Sequence, residues 1–396
     1  MQWPLRDDHG MENWQRIALG CGGAMFVAMG LGRFSYGAMI PALVQSGQVS
    51  IDQAGWVGGI NLAGFFVGAF ISEALRRVWP MARVLRGAVM LSLVALFASA
   101  LAWGFIWLGF WRGILGITAG LIMVQGLALT MSSAPETRRP VAAGLMFSGV
   151  GVGIFFSGVL VPMLLTYGVV WAWVGIAGVG IMGASSVLWG WRTVGEAKTS
   201  GAPLTFGVGD ILRRGWAWQG LAVAYFLFSF GLTSHTLYWV DFLVRDQGLD
   251  ISSGGAHWAI VGLFAVIGPW AAAWLARRTH TAWAVTLAFI VLGVGIAGPG
   301  LATWVPILWL SSMIFGAQPG VSTVKAARAR DLGTHEAMPA IMRVMIMSSA
   351  LGGAVGGVVI PALFAATGRY DLMFLVAGGA MGIAALCTLP GRANAG

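Results

Sequence analysis

A chain of 396 residues with 58% hydrophobic and 9% charged side chains cannot cover a water-facing surface, since an ordinary soluble domain carries about a quarter charged residues. That excludes a soluble enzyme, and the net charge of +9 does not point to nucleic acid, because the basic residues are scattered between long apolar runs. The 2 cysteines, Cys21 and Cys387, each lie in an apolar run and support no disulfide scaffold, thiol relay or zinc cluster, so no metal or cofactor is expected.

A bilayer core about 30 Å thick takes about 20 apolar residues per helix. The apolar runs predict an all-α integral membrane protein of twelve transmembrane helices, beginning near Ile17, Gln53, Val84, Phe105, Val141, Val169, Trp216, Ser253, Ala282, Trp304, Ala337 and Leu372. Breaks as short as Trp103-Gly104 and Tyr167-Gly168 suit tight turns between antiparallel helices. With the N-terminus in the cytoplasm, 19 of the 23 basic residues fall on the cytoplasmic side, Arg245 and Arg369 outside, and Arg33 and Arg112 within spans. This is the positive-inside pattern, with both termini cytoplasmic.

The first span is too long for a signal-peptide core and has no small-residue cleavage pattern after it, so it is expected to remain as a membrane helix. It holds Arg33, 17 residues past Arg16, hence about 25 Å further along the helix and near mid-bilayer. Inserting an arginine there costs at least about 2.5–3.5 kcal/mol, so it must meet a watery cavity or a partner. Its planar fork suits a carboxylate or phosphate. The competing reading is a structural lock onto backbone carbonyls or Asn61 of the second span. Tyr36 and Gly37 share its helix face, and Tyr36 is a candidate substrate contact, as is Asn61, which could equally tie two helices together. The second span ends in Glu73, Arg76 and Arg77, a candidate coupling or gating set. Arg112, in the outer half of the fourth span, reads equally as a coupling residue and as a helix anchor, and Gly116 and Gly120 beside it read as close packing.

After the sixth span, the polar stretch from Arg192 to Arg214 reads as a cytoplasmic linker between residues 1–192 and residues 215–396. His235 in the seventh span is the most central titratable side chain, and Tyr238 joins it as a candidate substrate contact. Asp241 reads first as a solvated helix end and second as an outer gate, and His257 reads as interfacial. Gln318 in the tenth span is a further substrate candidate, with Gln125, Tyr225 and Ser229 weaker ones. Lys325 and Arg343 read as positive-inside residues before gate residues. Trp171, Trp173, Trp189 and Trp191, at span ends, read as interface belts. The methionine pairs Met25/Met29, Met338/Met342 and Met345/Met347 have no histidine or cysteine beside them and read as packing, not as copper ligands.

The two halves echo each other at an offset of 199 to 201: Gly32/Gly231, Ser35/Ser234, Gly116/Gly316, Gly120/Gly320, Gly153/Gly352, Gly158/Gly357, Pro162/Pro361 and Arg76-Arg77/Arg277-Arg278. Two six-helix halves with a substrate site between them near mid-membrane is a transporter plan. At these residues the chain resembles the major facilitator superfamily. Arg112-x3-Gly116-x3-Gly120 resembles its Arg-Gly motif, and Gly149-Val-Gly-Val-Gly153 with Gly158 its glycine-rich motif without the Gly-Pro pair. Gly68, Arg76 and Arg77 fit its loop signature, whereas Ser72, Glu73 and Leu75 depart from it. Gly30-Leu-Gly-Arg33-Phe-Ser-Tyr36 with Pro41, and Gln53 to Gly64, resemble the YbfB/YjiJ-like branch. The resemblance implies fold and transport, a role for Arg112 in conformational change or proton coupling, and no substrate.

The buried positive charge favours a small anionic organic solute, moved by alternating access across a bacterial inner membrane by a proton-coupled monomer. The alternative is proton-driven efflux of a hydrophobic or zwitterionic compound, which the glycine-rich fifth span favours. A transporter-shaped sensor or assembly factor is disfavoured because no further domain is evident, and no nucleotide loop or nucleophile–base pair suggests an enzyme.

Overall fold

The computed structural model describes residues 11–192, 194, 215–333 and 338–389. The expected linker, residues 193–214, therefore lies outside the described residues except for Val194. Among the described residues, twelve helices are long and apolar enough to span a bilayer. They are α1 (Asn13–Gln45), α2 (Ile51–Val78), α3 (Met81–Ala98), α4 (Gly104–Ser133), α5 (Glu136–Leu165) and α6 (Val169–Gly190) in the first half. The second half holds α7 (Trp216–Asp246), α8 (Ile251–Arg278), α9 (Thr281–Leu301), α10 (Val305–Ala329), α11 (Ala340–Thr367) and α12 (Tyr370–Cys387). All twelve predicted spans are present, most starting a few residues earlier than hydropathy placed them, because polar caps lengthen the helices beyond their apolar runs. Ser50, for example, accepts the Gln53 N–H at 3.1 Å ahead of α2 while Gln53 returns a bond to the Ser50 N–H, a reciprocal cap.

The alternation of the spans gathers Arg16, Arg76, Arg77, Arg83, Arg86, Arg138, Arg139, Arg192, Arg277, Arg278, Arg328 and Arg343 at one end, the basic end, and leaves Arg245 and Arg369 at the other. Turns at the opposite end are tight, and Gly104 and Gly168 adopt φ of +83° and +111° there, a region that favours glycine.

The repeat is visible as matched contacts. A Cβ on Gly116 of α4 would overlap the Asn61 carbonyl of α2, and one on Gly316 of α10 would lie 2.6 Å from the Val261 carbonyl of α8. Gly158 of α5 meets Gly255 and Ala259 of α8, while its mate Gly357 of α11 meets Gly59 of α2. The first pair knits each half together, and the second joins the halves. Without a hydrophobic drive between helices in lipid, such close backbone approach supplies the packing.

Two departures from the sequence reading concern burial. Trp171 is 58% exposed at a helix end, but Trp173 and Trp191 are buried inside the first half at 1% and 0%. Trp191 packs against Gly20, where a Cβ would be 2.9 Å from its Nε1.

Candidate substrate site

The first span is irregular. Regular α-helix over Asn13–Met25 and Ser35–Gln45 brackets π-helical turns over Phe26–Phe34. Such turns widen the helix, are rare and frequently occur at functional sites; a second, shorter stretch covers Phe242–Asp246. Two glycines admit the widening: Gly30 faces Gly153, where a Cβ would come within 2.7 Å of its Cα, and Gly32 faces Leu115 at 3.1 Å. Arg112 of α4 holds the end of the widened stretch. It donates to the Gly32 carbonyl through Nη1 and to the Arg33 carbonyl through Nη2 at 3.0 Å, and its Cζ lies 4.6 Å from the centre of the Tyr36 ring. Asn61 donates to the Arg112 carbonyl at 2.7 Å, tying α2 to α4. Four of the sequence-selected residues, Arg33, Tyr36, Asn61 and Arg112, thus form one cluster.

Within it the two arginines differ. Arg112 is 1% exposed and bonded to main-chain oxygens. Arg33 is partly exposed, its Nε has no hydrogen-bond partner, and no carboxylate of the described residues pairs with it. Its Cζ lies 5.1 Å from the Phe65 ring centre and 5.4 Å from that of Phe34. The backbone lock expected as the competing reading of Arg33 is the geometry of Arg112 instead.

Above this cluster, toward the opposite end, the halves are sealed. A Cβ on Gly37 would lie 2.5 Å from the Thr236 carbonyl, Gly58 meets Leu237, Gly59 meets Gly357, and Gly55 meets Tyr238 and Pro361. On the other flank Gly151 and Gly158 of α5 meet Gly262 and Gly255 of α8. Among the described glycines, every approach between the halves lies between mid-span and the opposite end. Tyr36 is enclosed within the first half beside this seal: it is 0% exposed and donates to the Ala54 carbonyl of α2 at 2.9 Å. Toward the basic end the facing positions change from buried to partly exposed, at Arg33, Phe65 and Phe66 in one half and Phe226, Ser229, Phe230, Ser348 and Ser349 in the other.

The remaining candidates lie apart from the Arg33 cluster. His235 is enclosed in the second half, 0% exposed, bonded to Ser311 at 2.8 Å and stacked on Trp239 at 4.7 Å. His257, expected at the interface, is 3% exposed and bonded to Ser312 at 2.9 Å. Asp241, first read as a solvated helix end, is 0% exposed because α7 continues through Asp246 and carries it into the bundle. Tyr370 donates to it, and Arg245 lies 3.6 Å away. Tyr238 is beside this pair, with its buried hydroxyl unbonded. Gln318 is partly exposed at the start of the second segment of α10. Glu73 pairs with Arg76 at 2.9 Å and approaches Arg77 at 3.8 Å on its own helix at the basic end.

Lys325 also departs from its reading as a solvated basic-end residue. It is 0% exposed, its Nζ has no hydrogen-bond partner, and it lies 3.7 and 3.5 Å from the ring centres of Tyr225 and Phe228. Nothing in the residue pattern around position 325 signals which way it turns. The Ser229–Ser349 pair, 2.5 Å apart across α7 and α11, was half legible, through Ser229 alone.

Twelve apolar helices in two matched halves, sealed against each other at one end and less closely packed at the other, are the architecture of a multi-pass membrane transporter. Solved structures share it. A POT family transporter in complex with 5-aminolevulinic acid superposes with a TM-score of 0.77 at 13% identity, over 97% of this chain and 96% of that one. Another POT family transporter structure, with a thioalcohol-conjugated peptide, gives 0.76 at 14% over 97% and 96%. A bacterial homologue of the human lysosomal transporter Spinster, inward-facing and unoccupied, gives 0.66 at 14% over 96% and 95%. The chain belongs to the major facilitator superfamily, in the family described as "Uncharacterised MFS-type transporter YbfB", which matches residues 25–389. Among curated proteins it is 29% identical over 147 residues to the 3-(3-hydroxy-phenyl)propionate transporter of Escherichia coli (strain K12), covering 37% of this chain and 36% of that protein. The match thus spans about a third of the relative's length.

Proposed function

We propose that this transporter carries a small organic anion, an aromatic or arylalkyl carboxylate, bound at Arg33 and moved with a proton by rocking of the two halves. The observation that carries the reading is the state of Arg33: a guanidinium at mid-span, partly exposed, with no carboxylate of the described residues to neutralise it. Beyond the ring faces of Phe34 and Phe65, a charge left there is stabilised by water or by an incoming anion. Phe65 beside it, partly exposed, supplies an apolar face for a ring. The aromatic acid in the name of the Escherichia coli relative is of this class.

The basic end faces the cytoplasm of a bacterial inner membrane, by the positive-inside rule. The seal then lies on the periplasmic side and the site opens inward. Arg112 positions Arg33 by holding its carbonyl. Asp241, the buried carboxylate among the described residues, takes the coupled proton at the outer gate, and Glu73 with Arg76 and Arg77 forms the inner charge cluster. The protein works as a monomer.

Uptake of labelled 3-(3-hydroxyphenyl)propionate into proteoliposomes tests this. Loss of a charge-assisted hydrogen bond is worth about 1.5–3 kcal/mol, or about ten- to a hundredfold in affinity. Arg33→Ala should lose transport by that factor while eluting as a folded protein, and Arg33→Lys should retain part of it. Equal uptake by Arg33→Ala and the native protein would overturn the assignment. An imposed pH gradient that drives no accumulation would remove the proton from it.

A further inference from the structure

We propose that the hydroxyls of Ser229 and Ser349 form the second half of the substrate site, so that the preferred solute is an acid with a further hydrogen-bonding group at its other end. The proposal rests on the anion reading of Arg33 and adds what the opposite wall recognises.

The first observation is hydrogen-bond accounting. Serine and threonine in these spans commonly return their hydroxyl to a carbonyl of their own helix, as Ser35 does to Leu31, Ser92 to Ala88, Ser157 to Ile154 and Thr236 to Leu232. Ser229 and Ser349 do not; each bonds the other across two helices at 2.5 Å. Two hydroxyls carry two O–H donors and about four acceptor sites. Their mutual bond uses one donor, so one O–H and several lone pairs remain unassigned in a wall that also carries Phe226, Phe230 and Ser348. In an apolar setting a spare donor is stabilised by an acceptor brought to it.

The second observation is depth. Gly37 of α1 touches the Thr236 carbonyl of α7. Arg33 is four residues toward the basic end from that contact and Ser229 seven, which is about 6 Å and about 10 Å at helical rise. Both helices run from the basic end outward, so side chains on each lean back toward the basic end. The long Arg33 side chain therefore reaches down toward the level of the short Ser229 hydroxyl. On the adjoining pair, Gly59 meets Gly357, and Phe66 and Ser349 lie seven and eight residues below that contact. Arg33, Phe65 and Phe66 in one half thus share a layer with Ser229, Phe230 and Ser349 in the other, immediately beneath the seal, and all six are partly exposed. A solute that touches both walls ties the halves together, which one that touches Arg33 alone does not.

The test measures binding to the purified full-length protein for two pairs of acids that differ by one hydroxyl: 3-phenylpropionate against 3-(3-hydroxyphenyl)propionate, and benzoate against 3-hydroxybenzoate. The native protein should favour the hydroxylated member of at least one pair by about five- to tenfold, the worth of one hydrogen bond. The Ser229→Ala/Ser349→Ala double variant should lose that preference while binding the unhydroxylated acid within twofold of native, and Arg33→Ala should lose both members. Ser229→Thr, which keeps a hydroxyl, should keep a preference where the double variant has none. A preference unchanged in the double variant, or absent from the native protein while both acids bind, overturns the serine subsite and leaves the anion reading standing. Failure of every acid to bind the native protein overturns both. A double variant that no longer folds is replaced by the two single variants, Ser229→Ala and Ser349→Ala, at least one of which should reduce the preference; a preference unchanged in both overturns the serine subsite.

Discussion

Arg112 and Lys325 are both fully enclosed cations, and they differ in what surrounds them. Arg112 donates to the carbonyls of Gly32 and Arg33, so truncating it removes two charge-assisted hydrogen bonds, at about 1.5–3 kcal/mol each. Arg112→Ala should lower the unfolding temperature in detergent and also weaken acid binding, because the π-helical turns that present Arg33 lose their clamp. Arg112→Lys, with a point charge in place of a fork, should recover at most part of either. A variant as stable as the native protein would show that the clamp contributes nothing. Among the described residues Lys325 has ring faces for partners, and replacing a buried charge by an apolar side chain of similar shape is often neutral or stabilising. Lys325→Met should therefore unfold at the native temperature or above it, and a clear drop would mean that the ammonium is held by more than the rings of Tyr225 and Phe228.

At the scale of helices, glycine position separates folding from gating. Gly149 of α5 packs on the Gly22 carbonyl inside the first half, whereas Gly59 of α2 packs on Gly357 across the halves. Gly149→Leu should reduce folded yield, because a half that cannot close has no core. Gly59→Leu should fold, since each half is intact, but wedge the seal open; a cysteine placed at Thr236 should then become reactive from the periplasmic side. Equal loss of folded protein in both variants would sink the distinction. The same comparison explains what the sequence made legible. Span number followed from apolar run length, and the repeat followed from glycines whose spacing is a packing requirement: Gly158 and Gly357 match because they do the same work in each half. The turn of each side chain was less legible. Nearness to the span boundaries reads Asp241 as a solvated helix end and Lys325 as a positive-inside residue, but α7 and α10 run further than their apolar stretches and both side chains are buried. Trp173 and Trp191 sat equally near span ends, and only packing against neighbouring helices distinguishes them from the exposed Trp171. The widening of α1 was hidden for a similar reason, since the Arg112 guanidinium that holds it comes from another helix, 79 residues away.

The whole molecule is polarised in charge and in packing, and the two polarities coincide. The end that carries most of the described arginines is the one toward which the facing walls become partly exposed, while the end with Arg245 and Arg369 is closed by backbone-to-backbone contact. If the basic end is cytoplasmic, the conformation is inward-facing, and accessibility should be one-sided. With Cys21 and Cys387 replaced by alanine, Ser348→Cys on the partly exposed wall should react with a membrane-impermeant maleimide in inside-out vesicles and stay unlabelled in right-side-out ones. Thr236→Cys, which lies within the seal and is 4% exposed in the native residue, should stay silent from both sides. A bound aromatic acid that touches Arg33 and the serine wall should slow labelling at position 348, because it fills the layer immediately beside it. Labelling of position 348 from the periplasmic side alone would invert the orientation, and with it the side from which the site releases its solute.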